Sequence, residues 1–317
     1  MRSLPIFAAF VLALSVNAAV AGGNCRFPPS KPVFLKGMGP CRFDPAALTF
    51  AGTSREQAAC LVSPVSQFGT IGLPRTDLPA TFGDFVGNAN ALPTREALRR
   101  VLRERGQDQT FDPALENPVA RALEDEPLAR PATYFVIHDT SSPNFMGRAW
   151  PSDIDADKSI NNLARYSCDN KIERAHVFIN RSGAVMLSHD FSVPWRATKF
   201  EMAAEFGTAL RGLFLHIELV QPRKRSPGRG WANDFLAPDP GFSKAQYEAL
   251  ALVYTVASVR AGYWLIPAFH AVLDDGIYDK HDDPQNFDLS AFAESVEAIR
   301  QSVRRLAAGQ TIAADER

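Results

Sequence analysis

The sequence predicts an α/β (α+β) fold: a mixed central β-sheet flanked by helices, preceded by a smaller, mainly helical and irregular N-terminal region. Three observations carry this. From residue 131 onward, runs suited to buried strands ("TYFVIH", "AHVFINRSGAVMLSHD", "GLFLHIELV") are interleaved with segments of helical period. Before residue 131, proline and turn residues crowd around "CRFPPSKPVFLKGMGPC", and only two segments read as helices. Apolar residues make up 46% of the 317, enough for a packed core over most of the length. The net charge of −1 gives no electrostatic reason to expect nucleic acid or an acidic surface as partner.

Residues 1–21 read as a secretory signal peptide. Arg2 precedes an apolar run from Leu4 to Val16, and the segment closes on Ala19-Val20-Ala21. The run is short for a spanning helix, which needs about 20 apolar residues, and no later stretch is long and apolar enough to span a bilayer. A periplasmic or secreted location follows as an expectation. It changes how Cys25, Cys41, Cys60 and Cys168 are read. None belongs to a Cys-x-x-Cys pair, so a zinc ribbon is disfavoured, and an even count in an oxidising compartment permits disulfides. Cys25–Cys41 and Cys41–Cys60 both remain open.

Residues 22–130 form the N-terminal region, an accessory segment with no assigned role. "SREQAACLVS" (54–63) predicts a helix capped by Thr53 or Ser54, and "TREALRRVLRER" (94–105) a second starting at Thr94. Residues 131–307 form the larger α/β region, and 308–317 a polar tail. Within it, 133–138 predicts a buried strand, 175–190 a hairpin turning at Arg181-Ser182-Gly183, and 212–220 a third central strand. In "FSKAQYEALALVYTVASVRAGY", Ser243 and Gln246 make a capping box and Phe242 staples onto Tyr247. The last helix begins after Asp288, with the stripe Phe292, Val296, Ile299, Val303 and Leu306.

All six histidines lie at or after residue 138. His138 ends its strand and runs straight into Asp139, Thr140, Ser141 and Ser142. On the strand 212–220, alternation puts His216, Glu218 and Val220 on one face. A carboxylate in a buried strand is costly unless it is paired or near a cation. The segment "FHAVLDDGIYDKHDDPQNFD" (269–288) adds His270 and a dense set from Lys280 to Asp283. One zinc ion explains the combination. Catalytic zinc takes three His or Asp/Glu ligands, leaves a position for water, and brings that water's pKa near neutrality. His138, His270 and Asp283 would be the ligands and Glu218 the general base. A Glu218–Arg ion pair is the structural alternative. A calcium loop at "DDGIYDKHDD" lacks regular oxygen spacing and contains a lysine. The helix-borne His-Glu-x-x-His motif is absent.

The order of these blocks resembles the zinc-dependent N-acetylmuramoyl-L-alanine amidases, the family shared by phage-lysozyme-type amidases and peptidoglycan recognition proteins. "YFVIHDTSS" is similar to the family's first strand, ending in a zinc histidine. "AHVFINRSGAVMLSHD" is similar to its second block, "LFLHIELV" to the strand bearing its catalytic Glu, and "FHAVLDDGIYDKHDDPQNFD" to its final block. The resemblance covers roughly 131–305 and leaves out 22–130. It implies a mixed sheet with zinc in a groove at one edge, and hydrolysis of the amide between N-acetylmuramic acid and L-alanine in peptidoglycan. It also implies a groove-lining, substrate-binding role for His176, whose alternative is a strand residue bonded to backbone.

The chain departs from the family pattern in three places. Trp195-Arg196 stands where the family has Trp-His, so Arg196 is the substrate-binding candidate there. His281 stands where the family places a lysine two residues before the third ligand. It is named with Glu218 as a candidate catalytic residue that stabilises the oxyanion, and Lys280 stays the alternative. The gap from His270 to Asp283 is longer than the family's, which leaves Asp282 and His281 as alternatives for the third ligand, and Asp283 is favoured by its Asp-Pro-x-x-Phe context. Two further readings stand beside the amidase: a peptidoglycan-binding module that does not hydrolyse, and a zinc hydrolase for another amide. His189 is expected at the surface. His216 is expected either to orient Glu218 or to be a satisfied core histidine, and Trp150 and Trp195 either to stack on sugar or to pack.

Overall fold

The chain is described by a computed structural model covering residue 39 and residues 41–166, 175–226 and 235–307. Among these residues, five strands build the central sheet: β1 (Tyr134–Asp139), β2 (Val177–Ile179), β3 (Val185–Leu187), β4 (Phe214–Leu219) and β5 (Ile266–Phe269). Their order is β5-β1-β4-β2-β3, parallel throughout except for the β2–β3 hairpin. The sheet is therefore mixed and the fold is α/β, as the sequence predicts.

All six residues of β1 are buried, as expected of an inner parallel strand covered on both faces. Alternation sorts them. Phe135 faces the helix Lys244–Ala261, its ring 5.1 Å from Tyr254. Tyr134 faces the other way, stacked on Phe214 at 5.0 Å and edge-on to Phe50 at 5.2 Å. His138 lies four residues on from Tyr134, on the same face.

The helices that shape the molecule are α1 (Ser54–Leu61), α2 (Ala80–Phe85), α3 (Arg95–Glu104), α4 (Lys244–Ala261), α5 (His270–Leu273) and α6 (Leu289–Ala307). Thr53, not Ser54, caps α1 in a full capping box with Glu56, and Thr94 caps α3. At α4, Ser243 accepts from Gln246 N and Gln246 accepts from Ser243 N, both at 3.1 Å, with the Phe242 and Tyr247 rings 6.1 Å apart. Gly262 ends it at φ 83°, a conformation that costs any other residue more. The predicted stripe of α6, from Phe292 to Leu306, is buried throughout.

Strand β5 was not among the predicted elements. "IPAF" is only four residues long and contains Pro267. Proline lacks the N–H of a ladder partner and is tolerated on edge strands, which is where β5 lies. The hairpin turn is as predicted: Gly183 sits at φ 82°, where an added Cβ would come 3.0 Å from Ala245 O.

The N-terminal region shares the core of the sheet. Phe43, Phe50, Leu61 and Leu98 belong to one hydrophobic cluster with β1, β4, α4 and α6. Tyr134 Oη accepts from Phe50 N at 3.0 Å and donates to Gln57 Oε1 at 2.9 Å, so this region covers the base of the face that carries His138. A Cys41–Cys60 disulfide closes it, which selects one of the two open pairings. The predicted signal peptide, Cys25, Cys168 and the 308–317 tail lie outside the described residues. No helix among the described residues is long and apolar enough to cross a membrane.

Candidate metal centre

His138 sits one residue before the end of β1, and His270 directly follows β5. These strands are parallel neighbours, with Phe269 opposite Ile137, so both imidazoles arrive at the same carboxyl edge of the sheet. In open α/β sheets that edge is where ligands bind. Asp283 returns to the edge on the loop after α5. Its side chain accepts from Asp139 N at 3.0 Å, and its carbonyl accepts from Ala271 N at 2.8 Å. The backbone that carries each ligand thus holds the next.

Three donor atoms meet there. His138 Nδ1 and His270 Nδ1 are 2.8 Å apart, and Asp283 Oδ2 lies 3.1 Å from His270 Nδ1 and 3.8 Å from His138 Nδ1. All three residues are buried and form a group that can hold a metal ion. The fit to a tetrahedral ion is direct. Metal–ligand bonds of about 2.0–2.1 Å give ligand–ligand edges of roughly 3.3 Å, inside the observed spread. Glu218 lies opposite His138 in the β1–β4 register, its Oε1 4.0 Å from His138 Nδ1. Its side chain is 20% exposed against 1% for His138, so it stands on the solvent side of the group.

Of the neighbouring positions, His281 forms a second group able to hold an ion with His270 and Asp274, while Asp282 and Lys280 are drawn elsewhere. Asp282 turns away: its Oδ2 accepts from Gln285 Nε2 at 2.7 Å and from Arg223 Nη1 at 3.3 Å. Arg223 is fully buried and also donates to Asp139 at 2.6 Å. Burial pushes the Asp139 carboxyl up to about 6, even against the pull of Arg223. Lys280 pairs with Asp275 at 2.6 Å. His281 stays at the centre, its ring stacked on His270 with centroids 4.2 Å apart and its Nδ1 2.9 Å from Asp274 Oδ2.

His176 does not reach the group and is closed off from solvent. It is fully buried, its Nδ1 accepts from His216 N at 3.0 Å, and its Nε2 lies 3.1 Å from Val193 O. Both ring nitrogens are used inside the protein, so the groove-lining expectation gives way to that of a strand residue bonded to backbone. Arg196 is half-buried and donates to Gly207 O at 3.1 Å, with no contact to the metal group among the described residues. His216 is fully buried with both ring nitrogens partnered, Nδ1 by His138 at 3.0 Å and Nε2 by Glu201. Trp195 is buried against His189, ring centroids 3.9 Å apart, and the half-buried Trp150 packs on Phe145. His189 is half-buried rather than at the surface.

Two carboxylates at the centre were not read from the sequence. Asp274 is fully buried, 3.1 Å from His270 Nε2, and accepts from Phe200 N at 3.0 Å. Its spacing of four from His270 on a short helix is the signal that could have found it. Glu201, equally buried, lies 3.2 Å from His216 Nε2. Only the local pattern Thr198-x-x-Glu201 marks it, and that pattern speaks of a turn.

Burial, with the neighbouring histidines adding to it, holds His138 well below the ordinary histidine pKa. Burial also opposes charge on His270, but Asp283 and Asp274 outweigh it and hold its pKa well above the ordinary value. Asp283 is held down in turn, because His270 outweighs the burial that would raise it. A cation binding at His270 Nδ1 must displace any proton carried there. The raised pKa of His270 means this proton is present at low pH and lost as pH rises. Metal affinity should then strengthen with rising pH, by about tenfold per unit where one proton is displaced. Competition with a chelator of known affinity at acidic, neutral and alkaline pH checks this. A pH-independent affinity would contradict it.

Fold and site together define an α/β protein with a buried group of two histidines and one aspartate, able to hold a metal ion, at the carboxyl edge of its sheet. No family model, curated protein or solved structure matches the chain.

Proposed function

We propose that the protein is a zinc-dependent N-acetylmuramoyl-L-alanine amidase acting on peptidoglycan in the periplasm or outside the cell. The observation that carries the reading is the buried His138–His270–Asp283 group with Glu218 beside it. Two imidazole nitrogens, one carboxylate oxygen and an adjacent second carboxylate match what a hydrolytic zinc site requires. When bound, zinc would supply a Lewis acid that polarises the scissile carbonyl and acidifies water.

The remaining chemistry falls to the chain's own residues. Glu218 takes a proton from the attacking water as the C–O bond forms, and passes it to the alanine nitrogen as the C–N bond breaks. The products are a lactyl carboxylate on the sugar and a free amine on the stem peptide. His281, with Nδ1 held by Asp274 and its ring stacked on His270, would in its doubly protonated form donate from Nε2 to the carbonyl oxygen as it gains charge. Lys280 is left out of this role by its pairing with Asp275.

The test is mass spectrometry of products released from purified sacculi, with and without chelator. Stem peptides with a free N-terminal alanine, lost on chelation and restored by zinc, are expected. A protein that binds zinc but releases no peptide would favour the non-hydrolytic binding module. One that binds no zinc would end the amidase reading.

A further inference from the structure

We propose that Glu201, acting through His216, is the positioning residue that sets the tautomer of His138 and keeps its Nδ1 open for the metal; this rests on the metal-site reading above. Glu201, His216 and His138 form a buried line leading away from the centre. His216 Nε2 is 3.3 Å from Glu201 Oε1, and His216 Nδ1 is 3.0 Å from His138 Nε2. His138 and His216 are at most 1% exposed, and Glu201 is fully buried.

Hydrogen-bond polarity runs one way along this line. Glu201 Oε2 accepts from Thr198 Oγ1 at 2.8 Å, Thr198 N at 3.1 Å and Ala197 N at 3.2 Å. These donors fix the carboxylate, which can offer His216 only an acceptor. His216 Nε2 must then carry hydrogen, since a lone pair there would face a carboxylate oxygen. Neutral His216 consequently has a bare Nδ1, which accepts from His138 Nε2–H. His138, with its one proton on Nε2, presents a lone pair at Nδ1. That is the atom 2.8 Å from His270 Nδ1 and 3.8 Å from Asp283 Oδ2. With Glu201 reversed in polarity, His138 would carry its proton on Nδ1 and close the site. An outer-shell partner of this kind acts on ligand orientation and basicity.

Glu201→Gln allows that reversal with little change of shape. Ala197 N and the Thr198 donors keep the amide oxygen at the Oε2 place, 3.2 Å from His216 Nε2, and put the NH₂ at the Oε1 place, 3.3 Å from it. The NH₂ then competes with that oxygen for Nε2, and wherever it wins, the relay runs backwards and puts hydrogen on His138 Nδ1. Zinc affinity of E201Q, measured by chelator competition, should fall about 10- to 100-fold. Glu201→Asp, which keeps the acceptor, should recover part of it. The Co²⁺-loaded visible spectrum should change in E201Q, which a loss of stability alone would not produce. In ¹⁵N-labelled wild type, metal-free, long-range ¹H–¹⁵N correlation should show His138 Nδ1 without hydrogen. That measurement decides the matter even where E201Q fails to fold. A folded E201Q with wild-type zinc affinity, or a wild-type His138 protonated on Nδ1, overturns the proposal and leaves the metal reading standing. Wild type that binds no zinc overturns the metal reading itself.

Discussion

Glu218→Gln is expected to cut amide hydrolysis by about 10²- to 10⁴-fold while zinc content stays at the wild-type level. The two parts of this expectation come from different features of the site. The rate loss follows from removing the Glu218 carboxylate, which stands on the solvent side of the metal group, 4.0 Å from His138 Nδ1. An amide can hydrogen-bond there but cannot take a proton from water at neutral pH. Zinc retention follows because Glu218 is not one of the three buried donors. Rates on defined muropeptides, with zinc measured on the same samples, give both readouts. Unchanged turnover would remove Glu218 from the mechanism. A wild type with no turnover to lose would return the protein to the binding-module reading.

His270→Ala should have the larger effect on the molecule as a whole. The imidazole stands between two buried carboxylates, 3.1 Å from Asp283 on one side and 3.1 Å from Asp274 on the other. Removing it takes away a ligand and leaves both acids without the group that offsets their burial. Breaking a buried ion pair in this way costs about 3–5 kcal/mol. The variant should bind no zinc, and its metal-free form should lose stability by that order in urea denaturation. Asp283→Asn is the contrast. The amide oxygen can still accept from Asp139 N, so this variant should also lose zinc but remain closer to wild-type stability. If His270→Ala were as stable as metal-free wild type, the two carboxylates would not depend on His270, and the electrostatic account of the centre would fail.

The fold was legible where a local signal coincided with a buried pattern. The α4 capping box needed only Ser243, Gln246 and an apolar run, and the α6 stripe only its spacing. Strand β1 was visible as an unbroken apolar run ending in His138. Strand β5 was not, because Pro267 argues against a strand until the sheet edge that tolerates it is known. Residues 22–130 read as an accessory segment, either a small helical domain or a decoration packed on the larger region. What joins them to the sheet is a set of long-range contacts, Phe50 and Gln57 on Tyr134, that leave no periodic trace in the chain.

The candidate site divides in the same way. His138, Glu218, His270 and Asp283 stood out because histidines and acids at strand ends, or inside a buried strand, are chemically conspicuous wherever they occur. The choice between Asp282 and Asp283 is different. Both are acids on one loop, and only the fully buried Arg223 draws one away while Asp139 N holds the other. His281 and Lys280 are told apart by Asp275, and His176 is withdrawn from the site by a backbone carbonyl. Glu201 is marked only by a turn pattern with Thr198, and Asp274 only by its spacing of four from His270. The sequence by itself determined the fold class, the main helix starts and the donor types, because these depend on residue chemistry and on spacing along the chain. Only the tertiary structure decided which donors meet, which neighbours turn away and what stands behind each ligand. Those outcomes depend on register between strands brought together from distant parts of the chain, and on the charge that each buried group must have beside it.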